Sequence, residues 1–190
     1  MASKVRFGIS NAYYALRTVT TNGNTTTISY ATPVAWPGAV SVSLDPQGAS
    51  EPFYADNIVY YQSIANQGYE GDFETAMIPD SVYETLFGYT LDSSTKVLTE
   101  KNTDEAKEFA LLFQINTDSG DNRYVVLYNC KATRASIGSQ TIEDSKTPQT
   151  QTVTITATPN PDGKVQACTT DLTSSATKTA WFGSVYGYGA

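Results

Sequence analysis

The chain has 190 residues, of which 40% are hydrophobic and 16% charged, and it carries a net charge of −7 with a pI near 4.5. This acidic balance argues against a protein that grips nucleic acid by its phosphates. The chain contains no histidine, which excludes imidazole-based catalytic triads and most zinc enzymes.

The length suits one large domain, so residues 1–190 are predicted to form a single unit with a real core. The N-terminus has a basic start without a following apolar region, which does not resemble a secretory signal. No run of 18 apolar residues occurs, so we expect no membrane span and folding in a cytoplasm.

The charge is unevenly distributed along the chain. No Lys or Arg lies between Arg17 and Lys96, although that stretch contains acidic residues from Asp45 to Asp92. The remaining sequence is mildly basic. Such a split suits head-to-tail self-association, but charge alone does not establish it.

The first predicted elements are strands. Asn11–Thr20 and Thr25–Thr32 flank Asn22-Gly23, a dipeptide that favours a tight hairpin turn. Residues Ala39–Leu44 alternate apolar and polar side chains, which predicts a half-buried strand. The Pro- and Gly-containing stretch Asp45–Pro52 is predicted to be a loop.

Two further strands are predicted at Asn57–Tyr61 and Gly68–Ile78. In the second, one face carries Glu70, Asp72 and Glu74, and the other carries Phe73, Thr75 and Met77. A short helix follows. Ser81 with Glu84 three residues later predicts a capping box at its start, and Gly88 is placed to end it.

The second half of the chain is also strand-like. Phe109–Ile115 and Arg123–Lys131 are predicted to form a hairpin, followed by strands at Gln151–Thr158 and Lys164–Thr169. The C-terminal stretch Trp181–Gly189 is aromatic and spaced by glycines, typical of a flexible or closely packed tail. The predicted fold class is mainly β, a β-sandwich or half-open barrel with one short helix on its flank.

Few residues suggest chemistry. Glu70, Asp72 and Glu74 lie roughly 7 Å apart in pairs along one strand face, near the separation of glycosidase carboxylates. Catalytic carboxylates normally face each other across a cleft, so a solvated face or a functional acidic surface is the better interpretation. No phosphate-binding or dinucleotide motif occurs, and we expect no enzyme activity, catalytic residue or cofactor.

Metal binding and cysteine chemistry are also not expected. The oxygen-rich segment Asn116–Asn122 does not follow the order of a calcium loop and is better explained as a hairpin turn. Cys130 and Cys168 lie in strand-like runs and are predicted to be small buried residues; a disulfide requires that their strands be neighbours. The pairs Tyr13-Tyr14 and Tyr60-Tyr61 are each expected to place one ring in the core.

Residues 11–90 resemble the major tail protein family of long-tailed, siphovirus-type phages. The resemblance lies in the order and spacing of several short stretches, since no single one is specific. These are Tyr13-Tyr14-Ala15, Thr32-Pro33-Val34, Pro37–Pro46, Tyr54–Asn57 with Tyr60, Gly68–Glu74 and Ile78-Pro79-Asp80. The second half is similar only in strand pattern and length.

The resemblance implies a subunit that forms hexameric rings, whose inner strands join into a lumen β-barrel and whose stacking builds the tail tube. It also implies that the genome passes through the lumen during ejection without specific binding. The implied partners are further copies of the chain, a tape-measure protein, a tail terminator and distal tail proteins. The implied location is the virion tail, with assembly in the host cytoplasm.

Two site hypotheses follow from the resemblance. Glu70, Asp72 and Glu74 are candidates to face the lumen, where negative charge would repel DNA phosphates from the wall. A long polar loop is what a contact between rings needs, so Asp45, Gln47, Glu51 and Asp56 are candidates for an inter-ring loop. The alternative is a monomeric β-sandwich binding module of the adhesin or carbohydrate-binding type, which would not self-associate.

Overall fold

The computed structural model describes residues 3–23, 25–141 and 147–188. Thirteen strands and two short helices occur in these ranges. The strands are β1 (Arg6–Asn22), β2 (Thr25–Tyr30), β3 (Val34–Ala35), β4 (Ala39–Gln47), β5 (Ser50–Ala55), β6 (Ile58–Ile64), β7 (Gly68–Thr75), β8 (Thr90–Leu91), β9 (Leu98–Thr99), β10 (Phe109–Thr117), β11 (Arg123–Ala132), β12 (Gln151–Thr158) and β13 (Gln166–Cys168). The helices are α1 (Asp80–Thr85) and α2 (Ser175–Ala180), and the predicted mainly β class is confirmed.

One antiparallel sheet organises the molecule. Its strand order is β2-β1-β10-β11-β12-β7-β4, with β3 paired to β1 and β13 paired to β11. The sheet curves so that β4 comes close to β1, without a ladder between them in the described residues. This arrangement matches the predicted sandwich or half-open barrel. No helix of the described chain is long and apolar enough to cross a membrane.

The centre of the sheet is buried on both faces. In β10, Phe109, Leu111 and Phe113 point into the larger core, whereas Ala110 and Leu112 belong to a second cluster on the opposite face. The prediction that alternate residues of β10 point into the core is therefore correct. It did not include the second core, into which the intervening residues point. A strand covered on both sides needs a continuous apolar run, and this sequence provides one.

The C-terminal segment covers the second face. Helix α2 begins at the N-cap Ser174, whose side chain accepts a hydrogen bond from the amide of Thr177. After it, Trp181 and Val185 pack into the second cluster, and Phe182 stacks on Tyr13 at 4.6 Å between ring centroids. The tail is closely packed as far as Tyr188, while Gly189 lies outside the described residues. Helix α2 was not predicted, because its Ser, Thr and Ala residues show no apolar period.

The predicted capping box at Ser81 and Glu84 is wrong. The N-cap of α1 is Pro79, with φ −63° and ψ 145°, and no side chain caps the helix. The Pro79 carbonyl accepts hydrogen bonds from the amides of Val82 and Tyr83 at 2.9 and 3.4 Å. Proline thus starts the helix two residues earlier than predicted, and Ser81 and Glu84 lie inside it and are exposed. Gly88, with φ +79°, follows its end as expected.

One strand boundary and two predictions of burial are also wrong. Strand β7 ends at Thr75, so Met77 leaves the strand pattern and is 70% exposed. Cys168 is exposed; Cys130 is buried as predicted, and both thiols are free. Of the tyrosine pairs, Tyr14 is buried as expected, but Tyr60 and Tyr61 are both exposed.

The buried and exposed faces of β12 provide a test of the core. Ile155 is fully buried, and its neighbour Thr156 lies on the opposite, open face. We expect Ile155→Ala to lower the free energy of unfolding by about 2–5 kcal/mol, because it leaves a cavity that the packed core does not refill. The matched variant Thr156→Ala should change it by less than about 0.5 kcal/mol. Urea titration of both variants measures the difference, and equal effects would contradict the assignment of the two faces.

Candidate functional site

A polar face is formed by four adjacent strands on the side away from the larger core. Their ladders place the side chains in rows: Lys131–Thr156–Glu70–Asp45, then Thr154–Asp72–Ser43, then Thr152–Glu74–Ser41. Cross-strand partners share a face, so these ten residues form one surface, named here the polar face. It carries four carboxylates and one ammonium group. The reverse sides of the same strands bury residues such as Phe73, Val153 and Ile155.

Hydroxyl groups hold two of the carboxylates in place. Glu74 accepts hydrogen bonds from Thr150 Oγ1 at 2.6 Å and from Ser41 Oγ at 2.8 Å. Asp72 accepts one from Thr154 Oγ1 at 2.9 Å. The bonds from Thr150 and Ser41 lower the pKa of Glu74 below its ordinary value, since they stabilise the charged form. The polar face therefore keeps its negative charge at Glu74 in mildly acidic solution.

A hairpin arm extends from the edge of the sheet beside the polar face. Strands β4 and β7 continue into β5 and β6 through hydrogen bonds from Gln67 N to Gln47 O and from Ala65 N to Ala49 O. The arm is defined here as residues 50–64, and β5 and β6 pair only with each other within the described residues. The turn residues Asp56 and Asn57 both have positive φ, 51° and 64°, as a tight hairpin turn requires.

The predicted loop at Asp45–Pro52 is thus wrong. Asp45 and Gln47 belong to β4, Glu51 to β5, and Asp56 to the arm's turn. Proline and glycine suggested a loop, but proline is tolerated in edge strands, and Pro46 and Pro52 both lie in strands with a partner on one side only. Gly48 sits where the chains cross closely, since a Cβ there would lie 1.8 Å from Ala65 O.

The arm exposes large apolar side chains on both of its faces. Phe53 pairs with Tyr61 on one face, and Tyr54 pairs with Val59 on the other. Seven such side chains are more than half exposed: Phe53, Tyr54, Ile58, Val59, Tyr60, Tyr61 and Ile64. Sequence reasoning missed this feature. The available signal was the Asp-Asn dipeptide between two aromatic, β-branched runs.

The structure therefore divides the predicted site residues into two groups. Glu70, Asp72 and Glu74 are brought together on the polar face, and Asp45 joins them there as the cross-strand partner of Glu70. Glu51 and Asp56 lie on the arm instead. Of the segment Asn116–Asn122, the first two residues end β10 and the others form the predicted turn, where Asn122 Oδ1 accepts a hydrogen bond from the amide of Thr117. No cluster of three acidic, Cys or His residues suited to a metal ion occurs in the described ranges.

Comparisons with known proteins give a structural likeness. No protein-family model matches the chain, and no curated protein matches it. Among solved structures, it is similar to the tube-terminating cap of the anti-feeding prophage, determined by cryo-EM, with 11% identity and a TM-score of 0.43. The match covers 88% of this chain and 94% of that one. At this level of identity and TM-score, the likeness defines neither a family nor a function for the chain.

The hydrogen bonds to Glu74 give a titration test. Its pKa is lowered, so we expect its carboxyl group to titrate below the ordinary 4.5 in an NMR pH titration. Removing both hydroxyls in Ser41→Ala/Thr150→Ala should move the midpoint up toward the ordinary value. The control Thr152→Ala removes a cross-strand neighbour that donates no hydrogen bond to Glu74, and it should leave the midpoint unchanged. An unshifted midpoint in the double variant would disprove the assigned cause.

Proposed function

We propose that the chain is a structural subunit that assembles with copies of itself into the tail tube of a long-tailed phage. The observation that carries this proposal is the arm, whose two faces both expose apolar side chains. A two-stranded hairpin is at best marginally stable alone in water, and contiguous exposed apolar surface marks an interaction site. The resemblance of residues 11–90 to major tail proteins indicates that the proposed assembly is a tail tube.

The polar face is proposed to line the lumen. It is an open surface of Ser, Thr and carboxylate side chains, spread over β11, β12, β7 and β4 rather than set across a cleft. Carboxylates there would repel the phosphates of passing DNA, and short hydroxyl side chains would leave the wall smooth. This geometry supports a conduit rather than an enzyme.

Strand edges favour closure between subunits. The main ladder ends at β4, whose outer backbone groups have no strand partner in the described residues. Pairing of this edge with a neighbouring copy would satisfy these groups and extend the polar face from subunit to subunit. In hexameric rings the face would then form a closed barrel. We further propose that the rings stack into the tube of the virion tail. Assembly would take place in the host cytoplasm, with tape-measure, terminator and distal tail proteins as partners.

Removal of the arm tests self-assembly. Replacing residues 50–64 with a two-residue turn between Ala49 and Ala65 should leave soluble monomers or single rings, because the variant lacks the contact surface of the arm yet keeps the main sheet and its β4 edge. Negative-stain electron microscopy and sedimentation over a concentration series compare it with the unaltered chain, which should form hollow rings or tubes.

Long tubes formed by the variant would show that the arm is dispensable. If the unaltered chain stays monomeric at every concentration, even with preformed tail ends added as initiators, the tube proposal fails and the binding-module alternative takes its place.

Neutralising the polar face tests its proposed role in genome passage. We expect Glu70→Gln/Asp72→Asn/Glu74→Gln to assemble normally but to release DNA several-fold more slowly, because phosphates would no longer be repelled. The matched variant Asp80→Asn/Glu84→Gln removes two exposed carboxylates outside the polar face and should eject at the normal rate. Ejection from phage particles is followed with a DNA-binding dye, and an unchanged rate in the triple variant would reject the lumen assignment.

A further inference from the structure

A groove opens between the two halves of the curved sheet, next to the base of the arm. Its volume is about 290 Å³, and its lining includes apolar side chains from β4, β10 and β11, with Val42, Leu44 and Ile115 among them. Tyr69 lines the groove and also pairs with Pro46 at the base of the arm. No residue of the arm lines it, so the chain's own arm does not fill it.

Two arginines give the groove a positive rim. Arg6, at the start of β1, is exposed and makes no ion pair within the described residues. Arg123, at the start of β11, is 3.6 Å from Asp171, and both side chains are about one-third exposed. An exposed pair of this length contributes little, so Arg123 remains available to another anion.

The arm has the complementary chemistry. It contains Glu51 and Asp56 and no Lys or Arg, and its aromatic and β-branched side chains are exposed. Its reach is about 20 Å, given six residues in β5 and a rise of about 3.4 Å per residue. An acidic, apolar projection and a positively rimmed apolar groove are therefore present on the same chain.

We propose that the groove receives the arm of a second copy of this chain, with Arg6 and Arg123 facing Glu51 and Asp56. The inference rests on the proposed function and gives its assembly contact a location. The two surfaces are different parts of one subunit, so the contact is head-to-tail and repeats from copy to copy, as a ring or a filament requires. Apolar burial of the arm supplies stability, and the charges set its register.

The native cysteines allow a direct test by cross-linking. Cys168 lines the groove and is exposed, whereas Cys130 is buried and its pKa is raised to about 12, which keeps it unreactive. In Ile58→Cys, the new thiol lies beside the turn of the arm. A short bismaleimide should link it to Cys168 of another copy and give a ladder of covalent oligomers.

Two controls make the cross-link specific. Adding Cys168→Ser should abolish the ladder. Val19→Cys places a thiol at a similarly apolar, exposed position in the β1–β2 hairpin and should give no ladder. A ladder from Val19→Cys equal to that from Ile58→Cys, or no ladder from Ile58→Cys under conditions in which that variant forms tubes, would overturn the proposal.

Charge reversal provides the second readout. Arg6→Glu/Arg123→Glu and Glu51→Lys/Asp56→Asn should each raise the concentration needed for assembly by about tenfold or more, as expected for close interfacial charges. Asn is used at position 56 because it tolerates the positive φ there. The four changes combined in one chain should restore part of the loss. The control Lys101→Glu/Lys107→Glu makes the same charge change at exposed sites that do not line the groove.

The outcomes separate this inference from the tube proposal. If the unaltered chain assembles but groove reversal behaves like the Lys101/Lys107 control, the groove is not the acceptor and the tube proposal stands. If the unaltered chain does not assemble even with initiators, the tube proposal itself fails.

Thermal unfolding of each variant as a monomer shows whether lost assembly reflects lost folding. The contact is supported if the reversal variants melt normally, fail to assemble and are rescued in combination.

Discussion

Every strand has two faces, and each face must be buried, be polar or meet a partner. This constraint organises the whole protein. At the centre of the sheet, β10 is apolar on both sides, and two separate cores cover it. Toward β4, the strands are apolar on one side only, and the other side becomes the polar face. In the arm both faces expose large apolar side chains without a cover, which is why a partner is proposed there.

The cover on the second core depends on the C-terminal segment. Trp181 and Val185 pack against Leu112 and Val126, and Asn160 links the hydroxyl groups of Tyr30 and Tyr188 by hydrogen bonds of 2.9 and 3.1 Å. These contacts fix the tail against β1, β10 and β11. The cover stops at β11, beyond which the same side of the sheet is polar. The extent of this segment thus sets where the polar face begins.

Part of the polar face and the whole arm belong to one continuous hairpin. Strands β4 and β7 contribute Ser41, Ser43, Asp45, Glu70, Asp72 and Glu74 to the polar face, and their continuations form the arm. Gly48 permits the close crossing at the junction. The proposed lumen and the proposed assembly contact are therefore built on the same pair of strands.

The sequence by itself determined the strand periodicity, because alternation depends only on neighbouring residues. It correctly placed β12, separated Glu70, Asp72 and Glu74 from Phe73 and Thr75, and identified the helix near residue 80 together with its terminal glycine. Only the tertiary structure decided which faces have a cover. Local signals at Pro46, Gly48 and Pro52 suggested a loop, whereas pairing with β6 and β7 makes the segment strands. Likewise, the apolar character of Tyr60, Tyr61 and Cys168 suggested burial, but burial depends on what packs against a residue, and that is set by contacts between segments distant in the chain.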